Sequence, residues 1–206
     1  VGCSMCDAGG GYRGKLTAEE IIAQVEMMVR RRFPDMKVPS RQFKVQFARM
    51  GEPALNPSMI EVLRILPRRI NARGFMPSIS TVAPRGTEDF FEELLLVKEE
   101  LYGNGMFQLR FSLHSTDTEY RREMIPVNTW SMDRISDYGS RFHSKGDRKI
   151  TLNFALSHNA PLLPTVLLEH FDPDLFLVKI TPLNPTYRAR EAGLSSRVDP
   201  RDSGED

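Results

Sequence analysis

From Thr17 to Leu183 helix-like and strand-like segments take turns, and this alternation restricts the chain to a parallel sheet with helical crossovers. Thr17 and Glu20 make a capping box, and Ile21, Ile22, Val25, Met28 and Val29 follow at helical spacing, with Pro34 just past the end. Phe43 to Ala48 predicts a strand with Phe43, Val45 and Phe47 on one face. Pro57 to Ile70 predicts a helix with Pro57 near its first turn. Ser78 to Val82 reads as a short strand, and Thr87 to Tyr102 as an apolar helix stopped by Gly103. Phe107 to His114 is the clearest strand. Ser131 to Ser144 then reads as helix, Arg148 to Leu156 as strand, Leu162 to His170 as a short helix and Leu175 to Leu183 as strand. The polar stretch from Tyr187 to Asp206 predicts a loose tail.

The Phe107 to His114 strand narrows the architecture. Phe107, Leu109, Phe111 and Leu113 share one face, which should pack under helices. Gln108, Arg110, Ser112 and His114 share the other. A polar inner face is out of place in a packed α/β core, but it suits the wall of a ligand-holding lumen. Arg148 to Leu156 repeats the pattern, with Thr151 and Asn153 opposing Ile150, Leu152, Phe154 and Leu156. The expected fold is α/β: a partial, open (β/α) barrel.

A chain of 206 residues fits one domain. Its net charge of +1 provides no global field for nucleic acid, and the runs at Arg30–Arg32 and at Arg68, Arg69 and Arg73 read as solvated helix ends. No apolar run approaches the roughly 20 residues of a membrane span, and no signal peptide is expected. The chain's 2 cysteines, Cys3 and Cys6, suit metal or redox chemistry in a reducing, cytoplasmic compartment better than a disulfide scaffold.

Four segments carry candidate chemistry. In Gly2-Cys3-Ser4-Met5-Cys6 a tight loop can turn both thiolates toward one metal site. A thioredoxin-like pair would need its first cysteine at a helix start, whereas a glycine-rich stretch separates Cys6 from Thr17. A zinc knuckle would need a second cysteine pair, and two inert cysteines remain the plain alternative. Met50-Gly51-Glu52-Pro53 follows a strand: Gly51 admits a ligand close to the backbone, and Glu52 can accept hydrogen bonds from a cationic amine. Ser112-Leu113-His114-Ser115 ends the best strand, with His114 a candidate acid–base or binding group. Pro182-Leu183-Asn184-Pro185-Thr186 ends the last strand, and Ser80 and Thr81 end the short one between. Most of these positions lie at the C-terminal ends of strands, where β/α barrels place their active sites.

In order, Gly2-Cys3-Ser4-Met5-Cys6, Leu16-Thr17-Ala18-Glu19-Glu20-Ile21, Met50-Gly51-Glu52-Pro53-Ala54-Leu55-Asn56, Ile79-Ser80-Thr81-Val82, Ser112-Leu113-His114, Met124-Ile125-Pro126-Val127-Asn128 and Pro182-Leu183-Asn184-Pro185-Thr186 resemble the radical S-adenosylmethionine enzymes that methylate C2 or C8 of adenine in ribosomal and transfer RNA. The resemblance implies a radical S-adenosylmethionine core over residues 1–186, lacking its first strand and first cluster cysteine, with 187–206 as the tail. It implies two cofactors, a [4Fe-4S] cluster and S-adenosylmethionine. Cys3 and Cys6 match the second and third cluster cysteines, and the first would lie two positions before Val1. Gly51 and Glu52 match the pair that holds the methionine amino group; Ser80, Ser112, Leu113, His114 and Asn184 match other cofactor contacts. An electron from the cluster then splits the sulfonium to a 5′-deoxyadenosyl radical. The implied partners are ribosomal or transfer RNA and a reductant such as a flavodoxin-like electron donor.

The sequence departs from that pattern at Asp7, where a small residue is usual, and at Arg49 and Ala54, which flank the Gly-Glu-Pro turn where glycine and leucine are usual. The methyl-carrying cysteine of the family has no counterpart besides Cys3 and Cys6. Two further readings therefore stay open: a radical enzyme with a non-RNA substrate, and a non-enzymatic nucleotide- or metal-binding module on the same scaffold.

Overall fold

The structure, a computed structural model, describes residues 1–199, so the part of the expected tail over 200–206 lies outside the described residues. After a 3-10 turn at Asp7–Gly11 come α1 (Ala18–Arg32), β1 (Lys37–Val38), β2 (Phe43–Phe47), a second 3-10 turn at Pro53–Leu55, α2 (Ser58–Arg69), β3 (Asn71–Ala72) and β4 (Phe75–Thr81). Then follow α3 (Glu88–Leu101), β5 (Gln108–Ser112), α4 (Thr118–Met124), α5 (Met132–Phe142), β6 (Ile150–Leu156), α6 (Pro164–His170), β7 (Phe176–Pro182) and α7 (Tyr187–Glu191).

The main sheet runs β2-β4-β5-β6-β7, all parallel and in chain order. A doubly wound sheet reverses its strand order midway and takes helices on both faces. This sheet never reverses, so its crossovers all cover one face. The edge strands β2 and β7 do not pair with each other, which leaves the barrel open. The small β1-β3 pair lies apart from it.

The covered face holds the core. Ile79 of β4, Leu109 and Phe111 of β5, and Leu152 and Phe154 of β6 are buried, against Leu63 and Leu66 of α2, Phe91 and Leu94 of α3, and Ile135 and Tyr138 of α5. Phe91 is the aromatic hub, with ring centroids 4.3 Å from Trp130 and 5.1 Å from Tyr138. The opposite face is mostly polar, interrupted by Met76, Ala155 and Leu177. In register it presents Lys44 and Gln46, then Ser78 and Ser80, then Gln108, Arg110 and Ser112, then Thr151 and Asn153, then Lys179 and Thr181. This is the lumen wall expected from the Phe107 to His114 alternation.

Three local expectations change. β4 starts at Phe75 because Phe43 of β2 pairs with it in register. Helix α4 was not anticipated, since Thr118–Met124 is mostly charged; Asp117 caps it by accepting from the Tyr120 amide at 2.7 Å, and only Arg121 and Met124 are buried. The tail after Thr186 is docked through residue 198. Thr186 caps α7, Ala189 is fully buried, the Arg197 amide donates to Leu156 O at 3.0 Å, and Ser196 Oγ accepts from the Leu183 amide at 3.0 Å. A polar segment stays ordered here because its backbone groups find partners on β6 and β7.

One buried ion pair ties α3 to the loop before β6. Lys98 Nζ pairs with Asp147 and donates to Phe142 O at 2.8 Å; the side chains are 2% and 8% exposed. Burial alone pushes the Asp147 carboxyl up, but Lys98 and the amides of Ser144 and Gly105 together hold it below its usual range. A lowered carboxyl pKa adds stability that is present above the unfolded pKa and is lost as pH falls through the folded one. Lys98→Met should cost about 3–5 kcal/mol in urea unfolding at pH 7, because it strands a buried charge. Lys98→Met/Asp147→Asn should recover most of that loss and flatten the acid limb of the stability profile.

Candidate active site

The cleft opens at the C-terminal ends of the strands. Its floor is made by β-strand ends and its rim by the cysteine loop, and its volume is about 540 Å³. Clefts of roughly 300–1,000 Å³ suit a cofactor-sized ligand. Cys3, Cys6, Gly51, Glu52, Ser80, Ser112, His114 and Asn184 all line it. Leu113 does not: its side chain is fully buried in the core on the other face of the strand.

The cysteine loop is tight. The Cys6 amide donates to Cys3 O at 3.1 Å, and the Ser4 amide donates to Met124 O at 3.0 Å, which anchors the loop on the end of α4. Cys3 and Met5 pack on a small apolar cluster of Val82, Met124, Ile125, Leu183 and Ala189. Both thiols are partly exposed, and neither forms a disulfide. Burial, and after it the neighbouring Cys6, push the Cys3 thiol above its usual range.

Asp7, the unusual residue after Cys6, has a clear role. Its carboxylate accepts from the amides of Tyr187 at 3.1 Å and Arg188 at 2.9 Å, the unpaired first donors of α7. Beside it Thr186 Oγ1 donates to Met5 O at 2.9 Å. Helix α7 and the cysteine loop are thereby stitched together across about 180 residues of chain.

Glu52 is the most constrained group in the cleft. It is 9% exposed, and its carboxylate accepts from the Ala54 amide at 3.1 Å, Thr81 Oγ1 at 2.5 Å and the Val82 amide at 3.0 Å. Burial pushes its pKa up, against those three hydrogen bonds. A carboxylate offers about four acceptor sites, so one remains for a ligand donor. Thr81 was seen in the sequence only as a strand end. Its partnership with Glu52 depends on the β2-β4 pairing, which no local signal encodes.

His114 is buried, and its Nδ1 accepts from the Ala155 amide at 3.0 Å. That acceptor role assigns the ring proton to Nε2. Burial, helped by the Arg121 charge, pulls its pKa down to about 4. It is therefore neutral near pH 7, with its proton on Nε2. Arg121 itself is buried under the cleft, donating to Trp130 O at 2.7 Å and Val82 O at 3.2 Å, and burial lowers it only to about 10.

The strand ends are strained where they meet the cleft. Arg49 after β2 (φ 77°), Ala83 after β4 (φ 53°) and His114 after β5 (φ 66°) are all left-handed without being glycine, and Gly51 has φ 82°. Such residues cost energy and concentrate at ligand sites. Arg49 and Ala83 were not marked by the sequence reading as strained positions.

The fold and this cleft define an open, partial β/α barrel with its cleft at the C-terminal rim of the strands. In fold the chain is similar to SuiB of Streptococcus suis, solved bound to its precursor peptide SuiA, with a TM-score of 0.53 at 16% identity, covering 94% of this chain and 44% of that one. In sequence it resembles the RlmN group: it is 30% identical over 199 residues to the "Probable dual-specificity RNA methyltransferase RlmN" of Rhodococcus jostii, covering 90% of this chain and 52% of that protein. A protein of the same description from Desulfitobacterium hafniense is 28% identical over 197 residues, covering 90% and 51%. The chain thus spans about half the length of the curated relatives it matches. No protein-family profile matches it.

If Asp7 fixes the cysteine loop through α7, Asp7→Ala should speed amide exchange at Tyr187 and Arg188 and raise the alkylation rate of Cys6, with little change in global unfolding. Hydrogen-exchange mass spectrometry and thiol labelling check this; unchanged rates at both places would dissociate loop from helix.

Proposed function

We propose that this cleft binds S-adenosylmethionine beside a [4Fe-4S] cluster held in part by Cys3 and Cys6, and that the domain performs radical chemistry on an adenine-bearing RNA substrate. The single observation behind this reading is the convergence in one cleft of the two thiols with Glu52, Ser80, Ser112, His114 and Asn184. The donor set fits both groups. Two thiolates on a tight loop suit a cluster, whose full cysteine complement is larger than these two. The buried Glu52 carboxylate, with one acceptor site left, suits a cationic amine. When bound, the cluster supplies the electron for reductive cleavage of the cofactor's sulfonium.

The remaining roles belong to this chain's own residues. Glu52, immobilised by Thr81 and by the amides of Ala54 and Val82, presents a fixed negative charge, so the amine is oriented without reorganisation. Neutral His114 offers Nε2–H, a donor that does not change charge between about pH 5 and 8. Gly51 keeps the backbone open to close approach. The substrate reading draws on the RlmN relatives. Transfer of a methyl group by their chemistry calls for a carrier thiol, and Cys3 and Cys6 are both taken by the cluster, so residues 1–206 supply none.

The 206-residue chain, with two cluster thiols, should hold no stable cluster; the test is therefore anaerobic treatment of a chain extended upstream to a first cluster cysteine with iron and sulfide, then dithionite and S-adenosylmethionine, with 5′-deoxyadenosine measured by chromatography. Slow cleavage is expected, with no methyl label entering RNA. Cys3→Ala and Cys6→Ala should abolish it, and Glu52→Ala should lower it at least about tenfold while the fold by circular dichroism is kept. Equal product from Glu52→Ala and the parent would remove Glu52 from the site.

A further inference from the structure

The lumen below the cleft carries positive charge that this reading leaves unused. Lys44 of β2, Arg110 of β5 and Lys179 of β7 lie on the inner face of the sheet, which presents no Asp or Glu from its five strands. Arg110 is level with Ser80, and Lys179 is level with Asn153 and so with Ser112. Ser80 and Ser112 line the cleft, so both cations stand at its floor. Lys44, level with Met76, lies deeper. Among the described residues none of the three forms an ion pair.

Two orphaned polar atoms share that face. Arg110 Nε and Ser78 Oγ are buried without a hydrogen-bond partner, and Ser78 is fully buried. Partial burial, and after it repulsion from Arg110, Arg148 and Lys179, draw the Lys44 ammonium below its ordinary range, so these cations sense one another across the lumen. Like charges gathered without counter-charge are costly, and buried donors without acceptors are rare. Both costs are relieved by one kind of ligand, an anion with several oxygens.

We propose that the lumen is the seat of a substrate phosphate, with Arg110 and Lys179 as its donors and Lys44 as a more distant charge. A phosphate fits better than a carboxylate. Its oxygens point to several sides at once, and the cations stand on three different strands around the lumen; its double charge answers more than one cation. The inference rests on the proposed function for the cofactor's place above the lumen. Binding can be measured without cluster or cofactor, so the two readings fail separately.

The experiment is calorimetry of the 206-residue chain with adenosine 5′-monophosphate and with adenosine, at low and moderate salt. The monophosphate should bind at least about tenfold tighter, a difference near 1.4 kcal/mol, and only its affinity should fall with salt. Arg110→Gln and Lys179→Gln should each remove most of that preference and leave adenosine binding unchanged. Arg64→Gln, an exposed cation paired with Glu100 on α2, should change nothing. A trinucleotide without terminal phosphates that competes as well as the monophosphate marks the seat as one for an RNA phosphodiester; failure to compete marks it as one for a phosphomonoester. Equal affinity for monophosphate and adenosine, or salt-independent binding of the monophosphate by the parent chain, overturns the proposal even if the variants do not fold. So does a full preference retained by both folded variants.

Discussion

A parallel sheet whose strands follow chain order has only one face to give its helices, and everything else in this molecule depends on that. Each crossover from β2 to β7 must return on the same side, so α2, α3 and α5 bury the apolar rows and leave the other rows uncovered. A wall covered on one side only cannot read as the continuous apolar run of a doubly covered sheet. Hence the alternation of Leu109 and Phe111 with Arg110 and Ser112, and hence a lumen with room for a ligand. The same topology sends every strand's C-terminal end to one rim, where residues from the turn after β2, from β4 and β5, and from the segment after β7 converge without any long-range sequence signal.

At that rim the backbone bears the cost of convergence. Left-handed Arg49, Ala83 and His114 turn the chain sharply off three strands. Each turn is fastened by a specific partner. The Glu52 carboxylate ties the turn after β2 to Thr81 and Val82 at the end of β4, and His114 Nδ1 ties the turn after β5 to Ala155 of β6. The groups that hold the strain are the groups that face the cleft. A substitution at Glu52 therefore acts on both binding and geometry, which is why its effect on the cofactor has to be measured together with the fold.

Much of this was legible in the sequence, and what was not has physical reasons. Strand and helix order, the polar inner face and seven cleft residues besides Glu52 follow from local pattern together with the ordered motifs. Leu113 was carried along by its motif, but strand alternation already put it on the face opposite Ser112 and His114, and it lies there in the core. Helix α4 hid because Thr118–Met124 buries only two side chains and draws its start from an Asp117 cap. The docking of residues 187–198 hid because it is made by backbone groups and by Asp7, Thr186 and Ser196, none of which shows an apolar period. Asp7 looked like a departure from pattern, yet with Thr186 it joins the cysteine loop to α7.

The charges of the cleft and the lumen complete the argument. The rim carries a buried carboxylate at Glu52 whose pKa is raised by lost solvation, so it gains most from a cation brought against it. The floor carries Arg110 and Lys179 without a carboxylate partner, so it gains most from an anion. His114, set between these levels at the end of β5, is kept neutral and adds to neither. A single small ion satisfies only one of the two. Two ligands of opposite charge, one above the other, satisfy both.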